Sequence, residues 1–208
     1  MARAVEVNSA GRTPARTAFV IAAVILAAGA SARMGTPKAM LPFRGGTFLS
    51  LLCQRLARHC EPVLVVTGAH AGQIQCPPGA RAVVNAQWEL GQLNSLQCGL
   101  RALPAGVEGV LFTLVDHPDP AEETLTRLAA SQALVAVPVH EGRKGHPVWF
   151  RAELIPEFLA LTADASAKDV FRAHAGQTDY IAVADPGIAD DVDDAAALLR
   201  FRARTEFA

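Results

Sequence analysis

Short runs of aliphatic and β-branched residues alternate along this chain with segments in which apolar residues recur at helical spacing. Runs of the first kind are typical of buried strands, and the second pattern is typical of helices with one apolar face. In one such segment Leu49, Leu52, Cys53 and Leu56 lie at positions i, i+3, i+4 and i+7. The predicted strands are 20–26, 63–67, 82–84, 110–114, 134–139 and 180–184. The predicted helices are 47–59, 93–103, 121–131, 153–161, 167–174 and 194–202.

Regular alternation of strands and helices predicts a mostly parallel sheet covered by helices on both faces. The fold class is therefore α/β, a three-layer Rossmann-like α/β/α arrangement. The interval 141–150 departs from the alternation, because Gly142, Gly145, Pro147 and Trp149 predict a turn and a short strand. We expect a small β-hairpin excursion there.

A length of 208 residues favours one domain, placed at 19–208, and residues 1–18 are predicted to form a disordered, polar extension. The apolar run 19–28 follows three arginines and precedes Ala30-Ser-Ala32, a combination similar to a secretory signal. It is far shorter than the roughly 20 residues that span a bilayer, and cleavage would remove the first strand. We interpret it as a strand and expect a cytoplasmic protein without membrane attachment.

Composition excludes several other classes of protein. Hydrophobic residues make up 51% of the chain and charged residues 19%, as in ordinary globular proteins. A net charge of −1 without a Lys/Arg cluster argues against a nucleic-acid partner. The four cysteines form no C-x-x-C pair, which makes a zinc site or redox dithiol improbable.

The first predicted strand runs into a loop of small residues, Val24-Ile-Leu-Ala-Ala-Gly-Ala-Ser-Ala-Arg-Met-Gly-Thr-Pro-Lys38. No bulky side chain shields the backbone N–H groups from Ala27 to Gly35, and Arg33 and Lys38 add positive charge beside them. Neither the P-loop pattern nor the dinucleotide G-x-G-x-x-G pattern is present. The loop is therefore predicted to bind the phosphates of a nucleotide in another way.

Further candidate residues follow the next strands, where ligands bind in open α/β sheets. Gly68 and His70 follow the second strand, Asn85 the third and Asp116 the fourth. From its position alone, Asp116 is as consistent with capping the helix after Pro120 as with metal binding. The acidic run 190–194 can likewise either stabilise the start of the last helix or bind a metal. Ser95 can either cap a helix or hydrogen-bond the nucleotide. His70 can be either a surface histidine or a site residue.

Three segments resemble a known family. The loop is similar to L-A-A-G-x-S-x-R-M-G-x-P-K, the N-terminal motif of the MobA-like NTP transferases, which have the nucleotide-diphospho-sugar transferase fold. Residues 85–100 resemble its N-x-x-W-x-x-G-x-x-x-S-x-x-x-G-L segment. Residues 145–150 resemble the G-H-P-V-L-F segment of the molybdenum cofactor cytidylyltransferase branch. The resemblance covers about residues 20–200.

The resemblance implies site residues position by position. The implied catalytic residues are Arg33, Lys38 and Asp116. The implied nucleotide-binding residues are Leu26, Ala27, Ala28, Gly29, Ser31, Arg33, Met34, Gly35, Lys38, Gly68, Asn85 and Ser95. The implied Mg²⁺ ligands are Asp116 and Asp193, with Asp191 as the alternative to Asp193. The implied acceptor-binding residues are His117, Gly145, His146 and Lys168. The resemblance also implies that residues 68–70 line the base pocket.

Three departures from the family pattern concern the acceptor and metal regions. His117 replaces the usual Met, and 194–197 departs from Thr-Pro-Glu-Asp. The segment 163–168 has lost both glycines of G-D-x-G-A-R and ends in Lys168 instead of Arg. Because Lys lacks the bidentate guanidinium, an acceptor other than molybdopterin stays an alternative.

The implied function is Mg²⁺-dependent transfer of a nucleoside monophosphate, most readily CMP from CTP, to a phosphorylated acceptor such as molybdopterin, with release of pyrophosphate. A molybdoenzyme or its maturation chaperone would be the protein partner. Two alternatives stay open: a guanylyltransferase or sugar- or alcohol-phosphate nucleotidyltransferase of the same fold, and a non-catalytic nucleotide or cofactor carrier.

Overall fold

A computed structural model describes residues 20–206 of the chain. The strands are β1 Ile21–Ala27, β2 Pro42–Phe43, β3 Gly46–Thr47, β4 Val63–Thr67, β5 Ala80–Val84, β6 Gly109–Leu114, β7 Val135–His140, β8 Arg143–Lys144, β9 Val148–Arg151 and β10 Thr178–Ala182. The α-helices are α1 Phe48–Leu56, α2 Gln92–Arg101, α3 Glu122–Ala129, α4 Ile155–Ala160, α5 Ala167–Ala173 and α6 Ala195–Glu206.

The described part of the chain forms an eight-stranded sheet in the order β10-β7-β9-β6-β1-β4-β5, with β8 paired to β7. The pairs β6–β1, β1–β4, β4–β5 and β7–β10 are parallel. Only the hairpin strands run the other way, since β8 and β9 pair antiparallel with their neighbours. A mostly parallel sheet with a hairpin excursion is confirmed.

The hairpin explains how an antiparallel strand enters the middle of the sheet. Glu141 and Gly142 connect β7 to β8 with φ angles of 47° and 77°, which suits a tight two-residue turn. So short a turn reverses the chain, whereas a parallel neighbour would need a long crossover. β9 then fills the gap between β6 and β7.

Helices cover both faces of the sheet, which confirms three layers. Strand β1 is buried along its whole length. Its side chains alternate between faces, so Ala23 and Ile25 pack on the side of α1 and α6, while Val24 and Leu26 pack on the side of α2 and α4. This burial on both faces is why β1 appears in the sequence as an unbroken apolar run.

Element boundaries differ from the prediction at several places. Helix α6 extends to Glu206, beyond the predicted 202, and α1 ends at Leu56, three residues early. The predicted helix 153–161 consists of a 3-10 turn, Ala152–Leu154, followed by α4. Pro156 lies in the first turn of α4, where its missing N–H costs nothing.

Three further points concern an additional hairpin, the N-terminal extension and membrane-spanning helices. The hairpin of β2 and β3 was not predicted, because two-residue strands carry no periodic pattern. The predicted extension 1–18 lies outside the described residues. Within residues 20–206, no helix is both long enough and apolar enough to cross a membrane.

Gly109 is a point at which the core leaves no room for a side chain. It begins β6 beneath the indole of Trp149, which is 1% exposed, and an added Cβ would lie 1.7 Å from the indole Cη2 atom. The indole N–H donates to the carbonyl of Ala133, 3.3 Å away, which limits the movement of the ring.

We expect Gly109→Ala to lower the free energy of unfolding by about 3 kcal/mol, because overpacking forces a rigid buried ring to shift. Urea unfolding followed by far-UV circular dichroism measures the loss. Gly176→Ala is the matched control, since nothing lies within 4 Å of its added Cβ. Equal losses in the two variants would contradict the explanation.

Candidate active site

The candidate residues converge at the carboxyl ends of β1, β4 and β6. These strands are parallel neighbours, so the loops that follow them meet at one edge of the sheet. A cleft of about 300 Å³ opens there. Its lining residues are Ala27, Gly29, Ala30, Ser31, Ala32, Arg33, Pro37, Lys38, Ala39, Ile74, Val115 and Asp193.

The loop after β1 forms a compact turn with exposed backbone donors. Ser31 has a φ of 48°, its carbonyl accepts from the amide of Met34 at 2.9 Å, and its Oγ accepts from the amide of Lys38 at 3.2 Å. Gly35 also has a positive φ, 66°. Among the described residues, no acceptor binds the amides of 29–33. Those N–H groups are therefore free to bind an anion at the cleft.

Lys38 joins the loop to two distant carboxylates. Its ammonium lies 3.4 Å from Asp116 Oδ2 and donates to Asp193 Oδ1 in a shorter contact. Arg33 reaches the other oxygen of Asp193 at 2.7 Å. The amide of Val192 donates to the carbonyl of Asp116 at 3.1 Å, which ties the segment before α6 to the end of β6. The structure thus brings together Arg33, Lys38, Asp116 and Asp193.

Asp191 completes a group of three carboxylates. One oxygen from each of Asp116, Asp191 and Asp193 lies within 4.8 Å of the others. Burial raises the pKa of Asp116, against the opposing charge of Lys38. Partial burial and then the charges of Asp116 and Asp193 raise the pKa of Asp191, whereas the hydrogen bond from Lys38 lowers the pKa of Asp193. Asp191 and Asp193 therefore both belong to the cluster.

This cluster fits a divalent cation. Asp116 Oδ1 is buried and has no hydrogen-bond partner among residues 20–206. Such an atom is costly to leave alone, and carboxylate oxygens are the ligands that Mg²⁺ prefers. A cation between the carboxylates would also offset their mutual repulsion.

Helix capping, which the sequence left open for Asp116 and for the acidic run 190–194, involves Asp185 and one member of that run, Asp194. Asp185, which the sequence analysis did not identify, accepts from the amide of Ala121 at 2.7 Å and from Thr124 Oγ1 at 2.8 Å at the start of α3. Asp194 Oδ1 accepts from the amide of Ala197 at 2.7 Å in the first turn of α6. The interpretation of Asp116 as the cap of α3 is therefore wrong.

A second cleft of about 370 Å³ adjoins the first on the other side of Gly29. Its lining residues are Leu26, Ala28, Gly29, Trp88, Glu89, Gly91, Gln92, Ser95 and Leu114. Gly68 stands behind its wall, where an added Cβ would lie 2.5 Å from Trp88 Cβ and 2.7 Å from the carbonyl oxygen of Ala28. No larger residue fits at position 68 without a shift of the wall.

Two of the predicted nucleotide-binding residues, Asn85 and Met34, pack within the protein and contact other residues of the chain. Asn85 is 4% exposed, its amide donates to Asn94 Oδ1 and Ser95 Oγ at 3.0 Å, and its Oδ1 accepts from the amide of Gln87. Its described contacts orient Ser95 in the second cleft. Met34 is partly buried and packs against the core on the α1 side of the sheet.

The predicted acceptor residues lie on the other side of Asp116. The rings of His117 and His146 are 4.6 Å apart, and His117 Nε2 lies 3.8 Å from Asp116 Oδ1. Burial lowers the pKa of His117 to about 4 and that of His146 to about 3. Both imidazoles are therefore neutral at pH 7 and offer hydrogen bonds but no charge to a ligand.

The hairpin and helix α5 hold the other two acceptor residues. Gly145 packs directly on the chain at Ile188, where an added Cβ would lie 2.1 Å from the carbonyl oxygen, and the amide of His146 donates to that oxygen at 2.9 Å. Lys168 is exposed on α5, and its charge contributes to the lowered pKa of His146. His117, Gly145 and His146 therefore lie close together, and Lys168 is linked to them through the effect of its charge on His146.

Comparison with known proteins shows the family to which the chain is similar. The profile of the MobA-like NTP transferase domain matches residues 23–178. A probable molybdenum cofactor guanylyltransferase of Rhodopirellula baltica is 44% identical over 110 residues, which are 50% of this chain and 52% of that protein. The molybdenum cofactor cytidylyltransferase of Escherichia coli is 27% identical over 130 residues, or 60% of this chain and 67% of that protein.

Solved structures show the same architecture. The crystal structure of Rv0371c from Mycobacterium tuberculosis superposes with a TM-score of 0.77 at 25% identity, over 88% of this chain and 98% of that one. A complex of that protein with manganese superposes with a TM-score of 0.70 at 26% identity, over 88% and 97% of the two chains. Together with the matched domain profile and the loop that carries Lys38, these likenesses show that the chain belongs to the MobA-like NTP transferase family and is a nucleotidyltransferase.

Proposed function

We propose that this protein transfers a nucleoside monophosphate from a nucleoside triphosphate to a phosphorylated, molybdopterin-type acceptor with the help of Mg²⁺. One observation carries the proposal: Lys38, from the loop with free amides, contacts both Asp116 and Asp193 at the end of β6. A triphosphate site and a metal site therefore share one cleft.

The chain's own residues bind and align the reactants, and no protein nucleophile is needed. The amides of 29–33 and the cations Arg33 and Lys38 bind the triphosphate, and an acceptor phosphate oxygen attacks the α-phosphorus in line while pyrophosphate leaves. Asp116 and Asp193, with Asp191 beside them, would hold Mg²⁺, which supplies neutralisation of the triphosphate charge. The second cleft, with Ser95 in its wall, would receive the nucleoside.

The acceptor would lie beyond Asp116, against His117, Gly145 and His146. Because both imidazoles are neutral at pH 7, they would orient an acceptor phosphate through hydrogen bonds, while Lys168 supplies charge from α5. CTP is the proposed donor, based on the similarity of residues 145–150 to the cytidylyl branch. The guanylyltransferase named in the comparison makes GTP the direct competitor.

The metal proposal is tested with Mn²⁺ as a paramagnetic substitute for Mg²⁺. Asp116→Asn should weaken Mn²⁺ binding by about tenfold or more, because it removes one of the charges that attract the cation. Titration of free Mn²⁺ by electron paramagnetic resonance gives the affinity without any turnover. Asp179→Asn on β10 is the control, since that exposed carboxylate lies outside the cluster. Unchanged affinity in Asp116→Asn would remove Asp116 from the metal site.

The activity is tested by pyrophosphate release from CTP, GTP, ATP and UTP in the presence of Mg²⁺ and molybdopterin. We expect release from CTP and a loss of about 10² to 10³ in rate for Lys38→Ala, because a charge contact to the triphosphate is removed. Arg101→Ala, at the exposed end of α2, should retain the wild-type rate. A near-wild-type rate for Lys38→Ala would contradict the role of Lys38.

The same assay separates the alternatives. Release from GTP alone would identify a guanylyltransferase, and release that requires a sugar or alcohol phosphate would identify another acceptor. Triphosphate binding without release under any of these conditions would support a non-catalytic carrier.

A further inference from the structure

The loop after β4 contacts the loop after β1, residues 28–38, at two carbonyl groups. Residues 28–38 are called the triphosphate loop below. The amide of Ala69 donates to the carbonyl of Ala28 at 3.1 Å, and His70 Nε2 lies 2.7 Å from the carbonyl oxygen of Ala30. A carbonyl oxygen can only accept, so Nε2 of His70 must carry the hydrogen of this bond. His70 is thus a donor to the loop between Gly29 and Lys38.

His70 itself is held in place by its own turn. Its carbonyl accepts from the amides of Gln73 at 2.8 Å and Ile74 at 3.1 Å, and the amide of Ala71 donates to Gly68 at 3.0 Å. Ile74 from the same turn lines the cleft beside Lys38. The imidazole of His70 is therefore held by a compact turn, residues 68–74, that also lines the cleft.

Peptide geometry connects these two bonds to the free amides. In a trans peptide the C=O of one residue and the N–H of the next point in opposite directions. When residues 69 and 70 hold the carbonyls of Ala28 and Ala30, the N–H groups of Gly29 and Ser31 point away from that loop. Gly29 and Ser31 both line the cleft, and their amides have no acceptor among residues 20–206.

Ser31 gives this arrangement a conformational cost. Its φ of 48° lies in the left-handed region, which residues with a Cβ rarely adopt. Contacts on both sides must hold it there, and the bond from His70 to Ala30 fixes the peptide that precedes Ser31. Without this bond the Ala30–Ser31 peptide could rotate and turn its N–H away from the cleft.

We propose that His70 is a positioning residue, which prearranges the triphosphate loop through the carbonyl of Ala30 without touching the nucleotide. This inference rests on the proposed function, because it assumes that the loop binds the phosphates. It assigns to His70 a role on the phosphate side of the site and not in the base pocket.

Calorimetric titration with Mg²⁺–CTP and Mg²⁺–pyrophosphate, in the absence of acceptor, tests the role. His70→Leu should weaken the binding of both ligands by about three- to tenfold, the value of one hydrogen bond. His70→Gln should bind both within about twofold of wild type, since the glutamine amide can donate from a similar position. His59→Leu is the control, because its ring contacts Glu122 near the opposite edge of the sheet.

Pyrophosphate carries the decisive information because it has no base or sugar. A loss of affinity for CTP alone would place His70 in the base pocket and overturn the inference, as would wild-type affinities in His70→Leu. Equal losses in His70→Gln and His70→Leu would also overturn it, because they would show that the donor is irrelevant. If the wild type bound neither CTP nor pyrophosphate, the proposed function would fail together with this inference.

Discussion

The contact of the Lys38 ammonium with Asp116 and Asp193 is the interaction on which the site depends. Three carboxylates that approach within 4.8 Å repel one another, and one of them, Asp116, is largely buried. A cation beside them lowers this repulsion when they are ionised. Lys38 supplies it here, and its position at the end of the small-residue loop places the free amides beside the same carboxylates.

The charge on the two sides of Asp116 is strongly asymmetric. On the side of the loop, Arg33 and Lys38 provide fixed positive charge for an anionic ligand. On the other side, the imidazoles of His117 and His146 are neutral, because desolvation lowers their pKa values to about 4 and about 3. Under the proposed function, the first side would bind the highly charged triphosphate, and the second would bind the less charged acceptor through hydrogen bonds and the charge of Lys168.

The β7–β8 hairpin and the strand β9 that follows it bring the second side into place. β9 runs antiparallel between β6 and β7, so the turn that precedes it lies at the same edge of the sheet as the loop after β6. Gly145 can then pack on the carbonyl of Ile188, which a side chain would prevent. His146 follows directly and meets His117 from the end of β6.

The sequence by itself determined the sheet and the loop after β1, because apolar periodicity and small-residue composition are local signals. The resemblance to the family also pointed to Asp116 and Asp193, and the structure brings both carboxylates beside Lys38. Tertiary structure decided the rest: Asp185 caps α3 across 64 residues, Asp191 joins the carboxylates, and His70 reaches Ala30 from a neighbouring strand. These contacts depend on strand register and side-chain direction, which no local pattern encodes, and so the sequence could not assign them.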